Sequence, residues 1–322
     1  MSDDRVPVTI LTGFYGAGKT TLLNRLVAAP EAGRVVVIVN EAGEVALDGR
    51  LIVSRTERPE IVELREGCVC CTVRGDLSRA VGQLLDRRTS WFRRLQFDRI
   101  LVECSGLASP GPVVQTFVLD SRLAAETRVD GVVAMASALD LPRQLAEHPE
   151  AADQIAYADR VVLNHCDRAG DAVPATLAAL RALNPSVTVD LATRADVPVP
   201  PLLDLRADDP SRWHVSKVTT SVFIHAGGVR HVVVRADAAL DVQKVKMFLQ
   251  FVAARRTWTL MRCKGILRCD GLSRAVVAHG IYQWLEFGPS ELDPPLVSEL
   301  LLIGRGLDDG EIGRAWAAVV GN

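Results

Sequence analysis

The stretch VPVTILTGFYGAGKTT, residues 6–21, decides the fold of this 322-residue chain. Residues 6–12 form an aliphatic, β-branched run that predicts a buried strand, and residues 19–29 have the pattern of a helix. The turn between them fits G-x-x-x-x-G-K-[ST], in which backbone N–H groups cradle phosphate oxygens at a helix N-terminus. Strand, glycine turn and helix in this order predict a phosphate-binding loop, the P-loop.

The P-loop supplies most of the predicted nucleotide ligands. They are Gly13, Gly16, Ala17, Gly18, Lys19, Thr20 and Thr21. The Lys19 ammonium is expected to reach the β- and γ-phosphates and to stabilise charge during hydrolysis, which makes it a candidate catalytic residue. The Thr20 hydroxyl is expected to bind Mg²⁺. A nucleoside triphosphate with Mg²⁺ is therefore the expected ligand.

A second acidic element follows another apolar strand, in the segment DRILVECSG, residues 98–106. Glu103 ends that strand, and its carboxylate can hold the Mg²⁺ shell through water, so it is the second candidate catalytic residue. The Gly106 N–H can sense a γ-phosphate. An ordinary strand-end carboxylate is the alternative, but the P-loop favours the functional interpretation.

The segment NHCD, residues 164–167, follows the strand DRVVL and is similar to the N-K-x-D element of GTPases. The Asp167 carboxylate can accept both hydrogens that guanine offers, whereas adenine has no such donor pair, so GTP and GDP are the predicted nucleotides. Asn164 is also predicted to contact the nucleotide. His165 stands in place of the usual lysine, where its ring could stack on the base.

Three cysteines lie within four residues in the segment EGCVCCTVRGD, residues 66–76. Cys68 and Cys71 have the C-x₂-C spacing of zinc sites, and Cys70 adds a third thiolate before a predicted helix at 72–85, whose N-terminus favours thiolates. Zn²⁺ is the default ion for this set, with Co²⁺ or Ni²⁺ feasible. No second C-x₂-C closes the site, which suits a metal that is passed on. A redox thiol group and inert buried thiols are the alternatives.

A further metal ligand is expected from the segment NEAGEVALD, residues 40–48, which leaves the second strand where P-loop GTPases place a γ-phosphate-sensing switch. Glu44 is the predicted oxygen ligand, and a solvated loop acid is the alternative. The other cysteines and four of the histidines are interpreted as ordinary packing, strand or loop residues. They are Cys104, Cys166, Cys263, Cys269, His214, His225, His231 and His279.

Charge and hydropathy exclude two classes of partner. The chain has 37 Lys+Arg against 39 Asp+Glu and a net charge of -2, without long runs of like charge, so no nucleic acid is expected to bind. No stretch approaches the roughly 18–20 apolar residues of a membrane span, and the acidic start lacks a secretory n-region. We expect a cytoplasmic protein with no membrane partner and with reduced thiols.

The order of patterns along the chain predicts two domains. Short aliphatic strands alternate with helices up to about residue 192, which predicts an α/β domain with a doubly wound parallel sheet. The segment 195–212 contains four prolines and is predicted to be a linker or an extended crossing. Several strands with one or two helices follow, which predicts a smaller α+β domain. The predicted domains are 1–208 and 209–322.

Together these motifs resemble the CobW-type metallochaperone GTPases. The resemblance rests on GFYGAGKTT (13–21), VNEAGEV (39–45), GCVCCTVRGDL (67–77), ECSGLASPGPVVQTF (103–117) and RCKGIL (262–267). It implies a P-loop GTPase domain with a mostly parallel sheet, a CobW-type C-terminal domain, and metal binding by the thiol motif with Glu44 under control of the nucleotide. The chain departs from the family at His165, at Ala42, where an aromatic residue is usual, and at Ser137, where an acid is usual.

The expected mechanism is a nucleotide-driven switch. Mg²⁺·GTP orders residues 40–48, brings Glu44 to the thiols and completes a tight metal site, and hydrolysis releases the switch. The ion then passes to a client metalloprotein, and a homodimer is possible. Turnover is expected to be slow because no Gln or Arg stands out as catalytic. The alternatives are a nucleotide-binding scaffold or metal sensor with little hydrolysis, and a P-loop kinase acting on a small molecule.

Overall fold

Two β-sheets of different kinds organise the chain. The computed structural model describes residues 4–40, 61–63, 72–89, 95–213, 228–281 and 284–321. The first sheet is parallel and lies before residue 192, and the second is antiparallel and begins at residue 229. The predicted combination of an α/β domain and a smaller α+β domain is confirmed.

The parallel sheet has seven strands in the order β3-β2-β4-β1-β5-β6-β7. The strands are β1 (Val6–Gly13), β2 (Val35–Asn40), β3 (Ile61–Glu63), β4 (Arg99–Cys104), β5 (Thr127–Ser137), β6 (Arg160–Asn164) and β7 (Thr188–Leu191). Alternate residues of β2 enter two different cores: Val36 and Ile38 enter one, and Val37 and Val39 enter the other. Burial on both faces explains why these strands are continuously apolar rather than alternating.

Helices cover both faces of the parallel sheet. They are α1 (Lys19–Ala28), α2 (Thr72–Thr89), α3 (Gly111–Leu119), α4 (Ser121–Glu126), α5 (Leu141–Glu147), α6 (Pro149–Tyr157), α7 (Cys166–Ala169), α8 (Val173–Leu183) and α9 (Pro200–Leu203). Helices α2, α3, α6 and α8 pack on one face, and α1 and α9 pack on the other. Within the described ranges, no helix has the length and apolar character needed to cross a membrane.

The second domain is a five-stranded antiparallel sheet in the order β11-β10-β9-β12-β8. Its elements are β8 (Val229–Ala236), α10 (Val242–Ala254), β9 (Thr259–Leu267), β10 (Val276–Ile281), β11 (Trp284–Pro289), β12 (Ser298–Arg305) and α11 (Asp309–Val320). Helices α10 and α11 cover one face, where the rings of Phe248 and Trp316 meet edge to face at 5.0 Å. Helices α10 and α11 therefore leave the other face of this sheet available to pack against another part of the chain.

That second face packs against the first domain. Leu301 and Ile303 of β12 belong to the same hydrophobic core as the helices of the first domain. Arg262 of β9 forms an ion pair with Asp159, which precedes β6, and Arg305 pairs with Asp153 of α6 at 2.5 Å. The domains thus share both apolar and charged contacts.

The segment predicted as a linker or an extended crossing, residues 195–212, is docked on the first domain over most of its length. Leu202 and Leu203 are buried in the core beneath α1, and the Arg99 guanidinium donates to the Leu203 carbonyl at 2.7 Å. The Trp213 indole N–H donates to the Ala207 carbonyl at 2.9 Å. The segment is therefore a packed crossing rather than a free tether, while the boundary at 208/209 stays a prediction.

Candidate functional site

The glycines of the P-loop adopt backbone conformations that other residues rarely reach. Gly13, Gly16 and Gly18 have φ values of 140°, 74° and 107°. A Cβ at Gly18 would lie 2.7 Å from the Asn164 side-chain nitrogen, so this position excludes a side chain for steric reasons as well. The loop can therefore wrap closely around a ligand, as the sequence motif predicts.

The start of α1 suits a phosphate group. Gly18 is the N-cap residue without a side-chain cap, and the first turn of the helix contains no acidic residue. The Leu22 N–H donates to the Gly18 carbonyl at 3.0 Å, which is the first bond of the helix, so the preceding amides point out of its N-terminal end. The helix dipole and these amides favour an anion, and no carboxylate in the first turn opposes it.

The predicted phosphate and Mg²⁺ ligands lie at one edge of the parallel sheet. In the strand register Leu11 of β1 is opposite Glu103 of β4, and Gly13 is opposite Met135 of β5. The carboxyl ends of β1 and β4 therefore meet, which is where α/β sheets bind ligands. Glu103 is 9% exposed, and Thr20 lies in the first turn of α1. Their carboxylate and hydroxyl oxygens suit Mg²⁺, whose chemistry would be to neutralise phosphate charge.

Two residues that the sequence motifs did not identify contact the loop after β4 and hold it in place. The Tyr15 ring covers Gly106 so closely that a Cβ at Gly106 would lie 2.6 Å from it, and the Tyr15 hydroxyl is 3.5 Å from the Ser105 hydroxyl. Gln154 of α6 donates to the carbonyls of Gly106 and Ala108 at 3.0 and 3.2 Å. Tyr15 occupies a variable position of the P-loop motif, and Gln154 lies in no motif.

Asn164 ties the P-loop to a second loop at the same edge. Its side-chain amide donates to the Ala17 carbonyl at 3.0 Å, and its carbonyl oxygen accepts from the Ala195 N–H at 2.9 Å. Asn164 is 2% exposed, and Ala195 has a left-handed φ of 55°. The structure thus shows a positioning role for Asn164, and the predicted nucleotide contact stays a prediction.

His165 is held beside the predicted base site. Its backbone is left-handed, with φ 62°, and its Nδ1 lies 3.0 Å from the Ser137 hydroxyl, which is 2.9 Å from an Asp140 oxygen. Asp140 therefore supplies a carboxylate near the position where Ser137 replaces the family's acid. Asp167 is exposed in α7, so its carboxylate is accessible for the predicted contact with guanine.

The predicted transition-metal ligands, Glu44, Cys68, Cys70 and Cys71, lie outside the described residues. The part of the chain that the structure describes contains no group of three or more His, Cys, Asp or Glu residues arranged to hold a metal. Burial raises the pKa of the Cys104 and Cys263 thiols to about 12, so these cysteines stay protonated and pack as small apolar residues.

Of the four histidines predicted to be ordinary strand or loop residues, two lie outside the described residues and two lie within them. His214 and His225 lie outside the described residues. His231 contacts the Ala182 carbonyl through Nδ1 at 2.7 Å, and burial lowers its pKa. His279 of β10 is buried, and its desolvation lowers its pKa to about 3. Neither of these two rings belongs to a cluster of metal ligands in the described ranges.

Comparisons with known proteins agree with this architecture. Residues 7–190 match the model of the CobW/HypB/UreG nucleotide-binding domain, and residues 229–320 match that of the cobalamin synthesis protein cobW C-terminal domain. The chain belongs to the CobW family. With the P-loop at the sheet edge, membership identifies a P-loop GTPase.

YjiA covers nearly the whole chain, and a second relative covers less of it. The zinc chaperone YjiA of Escherichia coli is 32% identical, over 98% of this chain and 98% of its own. The crystal structure of Zn(II)-bound YjiA GTPase from E. coli has a TM-score of 0.76 at 28% identity, covering 98% of this chain and 99% of its own. The zinc chaperone CobW of Pseudomonas aeruginosa is 36% identical, over 63% of this chain and 61% of its own.

Proposed function

We propose that this CobW-family GTPase is a zinc chaperone that binds Zn²⁺ through Cys68, Cys70 and Cys71 and releases it to a client protein when GTP is hydrolysed. The observation that carries the proposal is the topology of the nucleotide edge. The chain leaves β2 after Asn40 and β3 after Glu63, and both strands run parallel to β1 and β4. The chain therefore leaves both strands at the edge of the sheet where the P-loop lies.

The segments that begin at these two points contain the predicted metal ligands. Glu44 follows β2 by four residues, and the three cysteines lie in the eight residues between β3 and α2, which starts at Thr72. Two relatives that cover most or much of this chain are named zinc chaperones, which supports Zn²⁺ over Co²⁺ or Ni²⁺ as the cargo. Zinc accepts both thiolate and carboxylate ligands.

The γ-phosphate of GTP controls the proposed switch. In the proposal, GTP with Mg²⁺ orders residues 40–48, which adds the Glu44 carboxylate to the thiolates and tightens the zinc site. Hydrolysis removes the γ-phosphate and releases the segment, so the ion loses a ligand and can transfer to a client. The 40–48 segment begins next to β4, because Asn40 is paired with Cys104 in the strand register.

The test is the zinc affinity of the protein in two nucleotide states, measured by competition with a chromophoric chelator. The proposal predicts at least tenfold tighter binding with a non-hydrolysable GTP analogue and Mg²⁺ than with GDP, about 1.4 kcal/mol or more. Cys70→Ala should lose the tight binding, and Glu44→Gln should lose the difference between the nucleotide states. Equal zinc affinity in both states would contradict the gating.

The matched control is Cys166→Ala, which removes a thiol from the same edge of the sheet, at the variable position of the NHCD segment and outside the thiol motif. The Cys166 thiol donates to the Leu163 carbonyl at 3.0 Å, and the residue packs at the margin of the core. This variant should keep both zinc affinities. GTP turnover measured in parallel separates the chaperone from a metal sensor, because a sensor would bind zinc with the same nucleotide dependence and hydrolyse almost no GTP.

A further inference from the structure

A cavity lies between the two domains at the edge of the parallel sheet opposite the P-loop. Its volume is about 560 Å³, and its walls include Asp159, Thr188, Arg206, Trp213 and Lys264. Asp159 precedes β6 and Thr188 begins β7, so the first domain contributes the amino ends of two strands. Lys264 comes from β9 of the second domain. The nucleotide site described above uses none of these residues.

The buried charges at the inner wall of the cavity are Lys264 and Asp159, and Arg262 reaches Asp159 from behind that wall. Arg262 and Lys264 both form ion pairs with one carboxylate, Asp159, and the Lys264 distance is 3.2 Å. Arg262 is 1% exposed, and the side chains of Lys264 and Asp159 are each 7% exposed. Among the described residues, the Asp159 carboxylate is therefore shared between Lys264 at the wall and Arg262 behind it, so Lys264 has only part of a counter-charge. Asp208 attracts Lys264 from an exposed position but is not within ion-pair distance of it.

The neighbouring ring of His279 adds no charge to this cluster. His279 is opposite Lys264 in the strand register, and burial with the two nearby cations lowers its pKa to about 3, so its ring is neutral at physiological pH. Burial and the like charge of Arg262 lower the pKa of Lys264 to about 8 despite the attraction of Asp159. A buried cation without a full counter-charge is costly, and an anion in the cavity would offset that cost.

Hydrogen bonds to a buried carboxylate hold the outer wall of the cavity in place. Arg206 at the cavity has a left-handed φ of 43°. The fully buried Asp130 carboxylate holds this loop by accepting from the Leu205 N–H at 2.9 Å and the Arg206 N–H at 3.3 Å. The Lys264 ammonium lies 5.0 Å from the centre of the Trp213 ring, which forms an aromatic side of the cavity. The backbone of Arg206 at the rim is thus fixed, and Arg206 and the buried Lys264 line the same cavity.

We propose that this interdomain cavity is an oxyanion-binding site in which Lys264 is the main ligand. Its occupant is a small molecule that carries a phosphate or a carboxylate group. Arg206 and Arg212 at the rim add positive charge, although both pair with Asp204 and Arg212 also pairs with Asp209, and Ser186 and Thr188 line the same space. The residues that line the site include none from the P-loop or the metal motif.

Calorimetric titration with inorganic phosphate and, separately, with succinate tests the site. The protein is first saturated with Mg²⁺ and a non-hydrolysable GTP analogue, so that the P-loop is filled and any further anion binds elsewhere. At least one of the two anions should bind at one site per chain. Lys264→Met should weaken that binding at least tenfold, whereas Lys244→Met, the same change on the exposed face of α10, should leave it unchanged.

The preference between the anions identifies the chemistry of the occupant: binding of phosphate alone assigns a phosphate ligand, and binding of succinate alone assigns a carboxylate ligand. Absence of binding by both anions overturns the proposal. So does binding that Lys264→Met leaves unchanged, because the anion would then lie elsewhere.

A labelling experiment on the unaltered protein avoids any folding defect of the Lys264 variant. Lysines are acetylated with acetic anhydride, with and without the anion that binds, and the extent of labelling at each lysine is measured by peptide mass spectrometry. The anion should slow labelling of Lys264 severalfold and leave exposed Lys244 unaffected in the same sample. Equal labelling of Lys264 with and without the anion refutes the site even if calorimetry detects binding.

Discussion

Asn164→Ala tests how the nucleotide site is held together. The substitution removes two buried hydrogen bonds, one to the Ala17 carbonyl at 3.0 Å and one from the Ala195 N–H at 2.9 Å. Asn164 is 2% exposed and Ala195 is fully buried, so water cannot easily replace the lost amide. Two buried groups left without partners cost about 2–4 kcal/mol of unfolding free energy in total.

The assay combines urea unfolding with GTP affinity measured by a fluorescent nucleotide. Because Asn164 joins the P-loop to the loop that contains Ala195, we expect the affinity for GTP to fall at least tenfold in addition to the loss of stability. Asn184→Ala is the matched control. Its side chain is fully buried in the same domain and donates to the Ala158 carbonyl at 2.9 Å, but it lies at the end of α8, away from the P-loop.

The control should lose at least as much stability, because its side chain donates to the Ile155 and Ala158 carbonyls and accepts from the Ser186 N–H, and it should keep its nucleotide affinity. If Asn164→Ala binds GTP as tightly as the unaltered protein, the bridge between the two loops does not organise the site and the reasoning is wrong. If both variants lose the same affinity, the effect reflects general destabilisation rather than loop positioning.

Three other substitutions test the site and the domain contact. Gly18→Ala should weaken GTP binding at least 100-fold by calorimetry, because φ is 107° and the new Cβ would lie 2.7 Å from a buried amide nitrogen. Gly106→Ala should lower unfolding free energy by about 1–3 kcal/mol through overlap with the Tyr15 ring, and combining it with Tyr15→Ala should cost less than the sum of both changes. Asp159→Asn should cost about 3–5 kcal/mol at pH 7 by leaving two buried cations unpaired. The pKa of Asp159 is lowered from 3.8 to about 2, so its contribution is complete above about pH 4 and is lost as the pH falls through 2, and the stability gap between variant and unaltered protein should narrow from pH 4 to pH 2 in urea titrations.

The sequence was sufficient for the parallel sheet and the position of the P-loop, because their signals are local. Aliphatic runs, a glycine turn and a helix pattern follow one another within residues 6–29, and the structure places β1 and α1 there. The role of Asn164 was only partly predictable. Its motif marks a nucleotide contact, but its hydrogen bonds reach residues 147 and 31 positions away in the chain, which spacing does not show.

Other features depend on packing that leaves no periodic pattern. Tyr15 and Gln154 fasten the loop after β4 from two separate elements, and neither residue type is characteristic of that role. The proline-rich segment 195–212 is predicted to be a linker or an extended crossing, because prolines and acids usually mark exposed chain. The pattern does not decide between the two, and in the structure Leu202 and Leu203 bury the crossing against the first domain, while Asp130, which lies far away in sequence, holds its backbone.

The most direct test of the central claim follows metal and nucleotide in one reaction. Protein loaded with one Zn²⁺ and GTP is mixed with Mg²⁺ and a fluorescent zinc indicator, while GDP formation is sampled from the same solution. A chaperone driven by hydrolysis should release zinc at the rate at which GDP appears, and should retain the ion when a non-hydrolysable analogue replaces GTP. Release at the same rate with the analogue would contradict the account, because the metal would then leave without regard to the γ-phosphate.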